Sequence, residues 1–420
     1  MAGNPKLIDK LYIDLAPKCR SLLRAVTDCA EEYGVRPYLV GGPVRDLLLD
    51  LSPFDIDVVI EGDAVAVARA AAARVGARLK KATRFGTATV SSGDCSIDLV
   101  TSRAESYRRP GALPTVRTST LGDDLRRRDF SINALAVSLN GPNRGKVVDP
   151  TGGLDDLKTG VIRVLHDRSF LDDPTRIIRA ARYEQRFGFS IEPETLGMIK
   201  RDLDALSTVS GSRLRRELER TLREARPEPA LLRMYALGIL LAIQPGLSFG
   251  LAQAAAMERL RLMNEDSLAA RWVVLCWNAA AVEIAAICSR LALTRGQCDA
   301  VGALPVLRNA AKKLARDCRP SEVVGTLSGL PLAAVAALAC ISGVDTARRQ
   351  ALDYIERLKH VRPLLRGDDL IALGVPTGPR VGEVTARLRE ARLDGQVKTR
   401  EDEAAMVQAM MAEWSPSGVG

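Results

Sequence analysis

The chain has 420 residues, 47% of them hydrophobic and 26% charged, which is enough for two or more domains with cores of their own. A net charge of +9, mostly arginine excess, points to a polyanionic partner, because guanidinium groups grip phosphate in a bidentate way. Eight cysteines without a C-x-x-C pair, and two histidines in all, argue against a zinc site; the cysteines read as reduced, buried small residues of a cytoplasmic protein.

The first twenty residues, MAGNPKLIDKLYIDLAPKCR, are broken by charge and proline and do not form a secretory signal. Up to about residue 165, short β-like segments alternate with helical ones. Strands are expected at PYLVGG, DIDVVI, GTATVSS, SIDLVTS and NALAVSLN, and an Ala-rich helix ends near Gly76. From Asp172 onward strand signals vanish and helical patterns recur, punctuated by Pro227, Pro245, Pro320 and Pro376. The longest uncharged run, Val323 to Val344, holds Gly, Ser, Thr and Pro. Its apolar part, Leu330 to Ile341, is too short for a bilayer core of about 30 Å and reads as a buried helix.

The first strand ends in Gly41–Gly42, and Pro43 opens a helix. Glycines there let backbone N–H groups approach a phosphate closely, and Arg45 follows in the first turn. In DIDVVI, Asp55 and Asp57 project from one face of the strand while Ile56, Val58 and Ile60 cover the other. Two carboxylates so placed repel each other unless a cation lies between them, and Mg²⁺ suits both carboxylate and phosphate oxygens. Asp98 in SIDLV, on a further strand, is a third candidate ligand. A tight turn and a solvated acidic strand edge would explain D-x-D alone, but not the combination.

LVGGPVRDLLL with DIDVV resembles the head domain of the class II tRNA nucleotidyltransferase and bacterial poly(A) polymerase family, a branch of the polymerase-β-like nucleotidyltransferases. LRRRDFSINALAVSLNG is similar to the family's RRDFTINA motif, VVDPTGGLDDLKTGVIRV to its DPxGGxxDLxxxxIR segment, and FLDDPTRIIRAARYEQRFGF to its EDPxRxxRAxRF motif. Asp172 stands where the family usually has Glu. The resemblance implies an α+β fold: a head of mixed sheet and helices, then an all-helical neck, body and tail. The domains expected are a helical leader at 1–25, the head at 26–165, a neck with a base-reading helix at 166–225, and a tRNA-binding body and tail at 226–420.

It also implies roles. Asp55 and Asp57 hold Mg²⁺, with Asp98 completing the catalytic set; Gly42, Arg45 and Arg128 grip the triphosphate, helped by Arg127; and Asn133 and Asp129 brace the turn beside the sugar. On one helix, Asp173 and Arg176 are neighbours, since three residues advance about 300°. A carboxylate accepting an amino group beside a guanidinium donating to a ring nitrogen selects cytosine and adenine. Arg179 and Arg182 support that site, Arg182 reaching a phosphate or the core.

Four activities share this framework. RFGTATV (Arg84 to Val90) resembles the tRNA-modifying members more than poly(A) polymerases. The segment from Thr101 to Phe130 supplies a full-length flexible loop, which disfavours CC-only addition. The expected function is therefore assembly of the tRNA 3′-terminal CCA from CTP and ATP. An A-adding enzyme is the alternative, ahead of a poly(A) polymerase or a small-molecule nucleotidyltransferase. The partners expected are the acceptor and T arms of tRNA, with neither membrane nor DNA.

Overall fold

The computed structural model describes residues 5–51, 56–83, 86–414. The chain forms two compact units. The first comprises Met1–Glu217 with Ala236–Ile243, and the second Leu218–Tyr235 with Gln244–Gly420.

In the first unit, α1 (Pro5–Asp14) and α2 (Pro17–Glu32) precede β1 (Arg36–Val40) and the short α3 (Gly42–Leu48). Then follow β2 (Ile56–Glu61), α4 (Ala64–Val75), β3 (Arg78–Ala82), β4 (Thr87–Ser92) and β5 (Cys95–Thr101). A hairpin of β6 (Arg103–Ser106) and β7 (Thr115–Thr118) leads to α5 (Leu121–Arg126), β8 (Ala136–Ser138) and β9 (Val147–Val148). One seven-stranded sheet results, ordered β3-β4-β5-β2-β1-β8-β9, with β2 and β5 its parallel pair. All five expected strands are present. β3, with the sequence RLKKA, carried no apolar signal because it is an exposed edge strand.

α2 begins at Pro17, a residue suited to a first helical turn, and buries Leu22, Leu23, Val26 and Cys29 at helical spacing. Each large side chain so buried contributes about 1.5–3 kcal/mol. It packs on α4, whose buried face is Ala64, Val67, Ala68, Ala71 and Ala72, small residues that let two helices approach closely. Asp63 caps α4 by accepting from the N–H groups of Val65 and Ala66, and Gly76 closes it at φ +63°. On the opposite face of the sheet, Tyr38, Val40, Val59 and Ala136 pack with Leu121 and Leu125 of α5.

The sulfurs of Cys19 on α2 and Cys95 at the start of β5 are bonded, their Cα atoms 5.3 Å apart. The expectation that every cysteine is reduced is therefore corrected for this pair. A separation of 76 residues leaves no spacing signature in the sequence. The other six are free thiols.

The rest of the first unit comprises α6 (Gly153–Thr159), α7 (Ser169–Asp172), α8 (Thr175–Phe187), α9 (Pro193–Asp202), the start of α10 (Gly211–Leu222) and the short helix Ile239–Ile243. Strand signals do not vanish entirely after Asp172: Ser190–Ile191 pairs in parallel with Val161–Ile162, a ladder too short to show a period. The second unit is helical. Its helix Leu332–Ile341, with Ala334 to Leu338 fully buried, packs against Leu251–Arg261, Leu268–Leu275 and Asp345–Glu356. Among the described residues, no single helix is long and apolar enough to cross a membrane.

Candidate active site

Asp57 on β2 and Asp98 on β5 are in register across the parallel pair. Adjacent strands lie about 4.8 Å apart, so both carboxylates leave the same face side by side. Thr89 of β4 is Asp98's antiparallel partner and donates its hydroxyl to the Asp98 carboxylate at 2.6 Å. The three residues form a row across three strands. Ile97 and Leu99 point into the core while Asp98 is exposed, the period-2 pattern of a half-buried strand. These acceptor-only oxygens on one open face fit a hard divalent cation. Asp55 lies outside the described residues, as do Arg84 and Phe85 of the RFGTATV segment; among the described residues no third acidic or imidazole group joins the row.

At the end of β1, Gly41 has φ +71°, and a Cβ there would meet Arg128 Nη1 at 2.5 Å. The glycine thus allows the left-handed turn and makes room for a guanidinium. Gly42 opens α3. Arg127 and Arg128 share the fully buried Asp124: Arg127 Nη2 lies 2.6 Å and Arg128 Nη2 3.1 Å from its two oxygens. Arg127 also reaches Glu105 of β6 at 3.0 Å. Both arginines keep about a sixth of their side chains exposed, Arg127 at 18% and Arg128 at 17%.

Arg45 is placed differently. It is 4% exposed, its Nε and Nη2 donate to Asp46, and its Nη1 donates to Asn133 Oδ1 at 2.6 Å. Its guanidinium also lies 4.5 Å from the Phe187 ring centroid and 5.3 Å from that of Tyr183. Asn133 in turn donates to Asp129 Oδ1 at 2.9 Å, and Arg179 Nη2 meets Asp129 Oδ2 at 2.5 Å. Burial alone would raise the Asp129 pKa. The Arg179 guanidinium, the Asn133 amide, Arg176 and the Phe130 N–H outweigh it and hold the carboxyl below the ordinary aspartate value.

The D-P-T-G-G segment braces this turn from behind. Asp149 accepts from the N–H groups of Thr151, Gly153 and Leu154, and Asp156 accepts the Ser131 hydroxyl at 2.6 Å. Gly153 lies so close that a Cβ would sit 2.1 Å from the Ser131 carbonyl oxygen.

Asp173 and Arg176 do not form a side-chain pair on one helix. Pro174 disfavours helical backbone in the residue before it, and Asp173 is extended at φ −136°, ψ 93°, between α7 and α8. Its Oδ1 accepts from the Thr175 hydroxyl at 2.6 Å and from Arg213 Nη2 of α10 at 2.8 Å. Arg176, 5% exposed, donates to Ser169 Oγ at 2.6 Å and to the Arg127 carbonyl at 2.7 Å, tying α8 to the RRD turn. Arg182 is buried, 3.6 Å from Glu217, so it reaches the core.

The segment expected as a flexible loop is the β6–β7 hairpin, and its tip is docked. Gly111 N–H donates to the Leu171 carbonyl at 3.2 Å, and the Gly111 carbonyl accepts from Arg213 Nη1 at 2.9 Å. Thr89, Asp124, Tyr183 and Arg213 were not singled out from the sequence. A basic residue on a helix as charged as GSRLRRELERTL reads as solvated, and nothing marks its pairing with an aspartate forty residues earlier.

Residues 37–163 match the poly(A) polymerase head-domain family, and 188–250 match a family described as a probable RNA- and SrmB-binding site of polymerase A. An A-adding tRNA nucleotidyltransferase of Halalkalibacterium halodurans is 32% identical over 95% of this chain and 94% of its own length. The chain belongs to the tRNA nucleotidyltransferase family. An A-adding member from Geobacter sulfurreducens is 37% identical over 91% of this chain, which spans only 46% of that longer protein. A CC-adding tRNA nucleotidyltransferase of Deinococcus radiodurans is 34% identical over 96% of both chains. Among solved structures, the Thermotoga maritima CCA-adding enzyme complexed with tRNA superposes with a TM-score of 0.77 at 30% identity, covering 96% of this chain and 98% of that one. The tRNA nucleotidyltransferase fold thus runs through both units.

Proposed function

We propose that the protein extends the 3′ end of tRNA without a template, building or repairing the terminal CCA from CTP and ATP and releasing pyrophosphate. The observation that carries this reading is the in-register pair Asp57–Asp98 on one open face, in a chain that matches tRNA 3′-end enzymes along nearly its whole length. Mg²⁺ held by Asp57 and Asp98, with Asp55 upstream, would activate the RNA 3′-hydroxyl and neutralise the departing pyrophosphate. Arg127 and Arg128, fixed by Asp124 and still partly exposed, are oriented to take the triphosphate. Arg45 acts behind them by holding Asn133, and so the Asp129 turn.

Base selection falls to the Asp173–Arg213 group, with Arg176 holding α8 beneath it. A carboxylate acceptor beside a guanidinium donor matches the amino and ring-nitrogen pair of cytosine and adenine. Guanine and uracil would leave those groups unpaired, at about 1–3 kcal/mol each. The basic helical region would hold the acceptor and T arms through phosphate contacts and shape.

A-only addition is the second reading, favoured by the names of the Geobacter and Halalkalibacterium relatives. Three transcripts of one tRNA, ending at the discriminator base, after CC and after CCA, are incubated with Mg²⁺ and CTP, ATP or both. Growth of the first by three nucleotides supports complete CCA synthesis. Growth of the CC-ended transcript alone, by one A, replaces it with A-addition. Long A tails on any end, or no growth at all, would overturn the tRNA-repair reading.

A further inference from the structure

The chain is poor in aromatic residues, at 4%, yet Phe130, Tyr183, Phe187 and Phe189 lie in one run of ring contacts within the first unit, with neighbouring centroids 5.6–5.9 Å apart. Arginines are packed against this run. Arg45, Arg179 and Arg182 lie over Tyr183, and Arg45 and Arg186 over Phe187. Three of these side chains, Arg45, Arg179 and Tyr183, close into a ring with Asn133 and Asp129. Arg45 donates to Asn133, Asn133 to Asp129, and Arg179 pairs with Asp129. Arg179 Nη2 also donates to the Tyr183 hydroxyl at 3.2 Å, and the Tyr183 ring returns to Arg45 at 5.3 Å.

Exposure separates the members. Arg45, Asn133, Asp129 and Tyr183 are at most 8% exposed, whereas the Arg179 side chain is 27% exposed. Arg179 is therefore the most exposed member of the ring, and the other four fix where its guanidinium stands.

We propose that Tyr183 is a positioning residue for nucleotide binding, acting through Arg179: its hydroxyl closes the buried ring and holds that guanidinium in the orientation that meets the nucleotide's anionic groups. The inference rests on the nucleotidyl-transfer reading above. An arginine has several rotatable bonds, and a ligand that needs one orientation binds more weakly in proportion to the fraction of molecules holding it. Loss of the hydroxyl leaves the ring, its edge contact with Phe130 and the Arg45 stacking in place, so the fold is retained while Arg179 is released from one of its two anchors.

The test compares wild type, Tyr183→Phe, Arg179→Lys and the double variant. It measures the ATP Kd by calorimetry without tRNA, KM and kcat with a CC-ended tRNA, and the melting midpoint. For Tyr183→Phe the expected result is Kd and KM raised about 3–10-fold, kcat within about twofold and an unchanged midpoint. In the Arg179→Lys background the same substitution should add no further change, because its effect passes through Arg179. An unchanged Kd in Tyr183→Phe, or single effects that multiply in the double variant, overturns the proposal. Wild type inert on every transcript would overturn the proposed function instead, while the ATP Kd comparison would still decide the role of Tyr183.

Discussion

Arg213 grips two segments at once, with one guanidinium nitrogen 2.8 Å from the Asp173 carboxylate and another 2.9 Å from the Gly111 carbonyl. Arg213→Lys cannot reproduce that fork, since an ammonium is a point donor. Its expected result is a lower preference for ATP and CTP over GTP and UTP, by about tenfold, or about 1.4 kcal/mol. Competition between the four nucleotides on one tRNA measures it; unchanged selectivity would show that Asp173 is placed without Arg213.

Thr89→Val keeps the shape of the side chain and removes the hydrogen bond to Asp98. An Asp98 carboxylate free to rotate should bind a divalent cation less well. The expected outcome is a several-fold higher Mg²⁺ concentration at half-maximal rate, with the maximal rate largely recovered at saturation. A titration of initial rate against Mg²⁺ checks it.

Gly41→Ala introduces both a strained left-handed backbone and a clash with Arg128 Nη1. The backbone alone costs about 1–3 kcal/mol, and relief of the clash must move Arg128. The variant should lose more nucleotide affinity than Gly76→Ala, which stands in the milder αL well at φ +63°, ψ 27° at the end of α4 and meets nothing within 4 Å. ATP titration of the two variants compares them.

His166 has its pKa lowered by burial and by the Arg176 guanidinium beside it. The unfolded chain therefore takes up a proton at higher pH than the folded one, so stability falls as pH drops below about 6.5. His166→Gln should flatten the change in denaturation midpoint between pH 7.5 and 5.5. Urea melts at those two values measure the slope, and an equal slope in the variant would exclude His166 as its source.

Reducing the Cys19–Cys95 bond restores the entropy of a long loop to the unfolded chain. The expected destabilisation is about 2–4 kcal/mol, seen as a lower melting midpoint in dithiothreitol. Cys19→Ser should melt at that lower midpoint with or without the reductant. Thiol titration of the unreduced, unfolded protein should count six thiols.

Much of the sheet was legible because its signals are local. Gly41–Gly42 ends a strand for a conformational reason, and the alternation in SIDLV puts Asp98 outward whatever the partner strand. The Asp63 cap and Gly76 stop bracket α4 as their residue types require. What was not legible depends on contacts across the chain. The helical spacing of Asp173 and Arg176 was sound arithmetic on a helix that Pro174 prevents from including Asp173. Arg45 stood beside a glycine pair and so read as a phosphate ligand, because its burial under Tyr183 and Phe187 comes from residues some 140 positions away. The segment after Thr101, with its Gly, Pro and Arg, gave no period-2 run, yet Gly111 at φ +67° docks its tip beside Thr208.

The bond between Cys19 and Cys95 makes a covalent ring of the chain from α2 to β5. Pulled from its two ends, the oxidised protein transmits force across that bond and past β1, β2, α4, β3 and β4. About 250–270 Å of contour length, from 76 residues at roughly 3.3–3.6 Å each, stays hidden from extension. Asp57 and Thr89 lie inside the ring and Asp98 just outside it. A stretched molecule would draw Asp98 away from its two neighbours while their own strands remained under no tension.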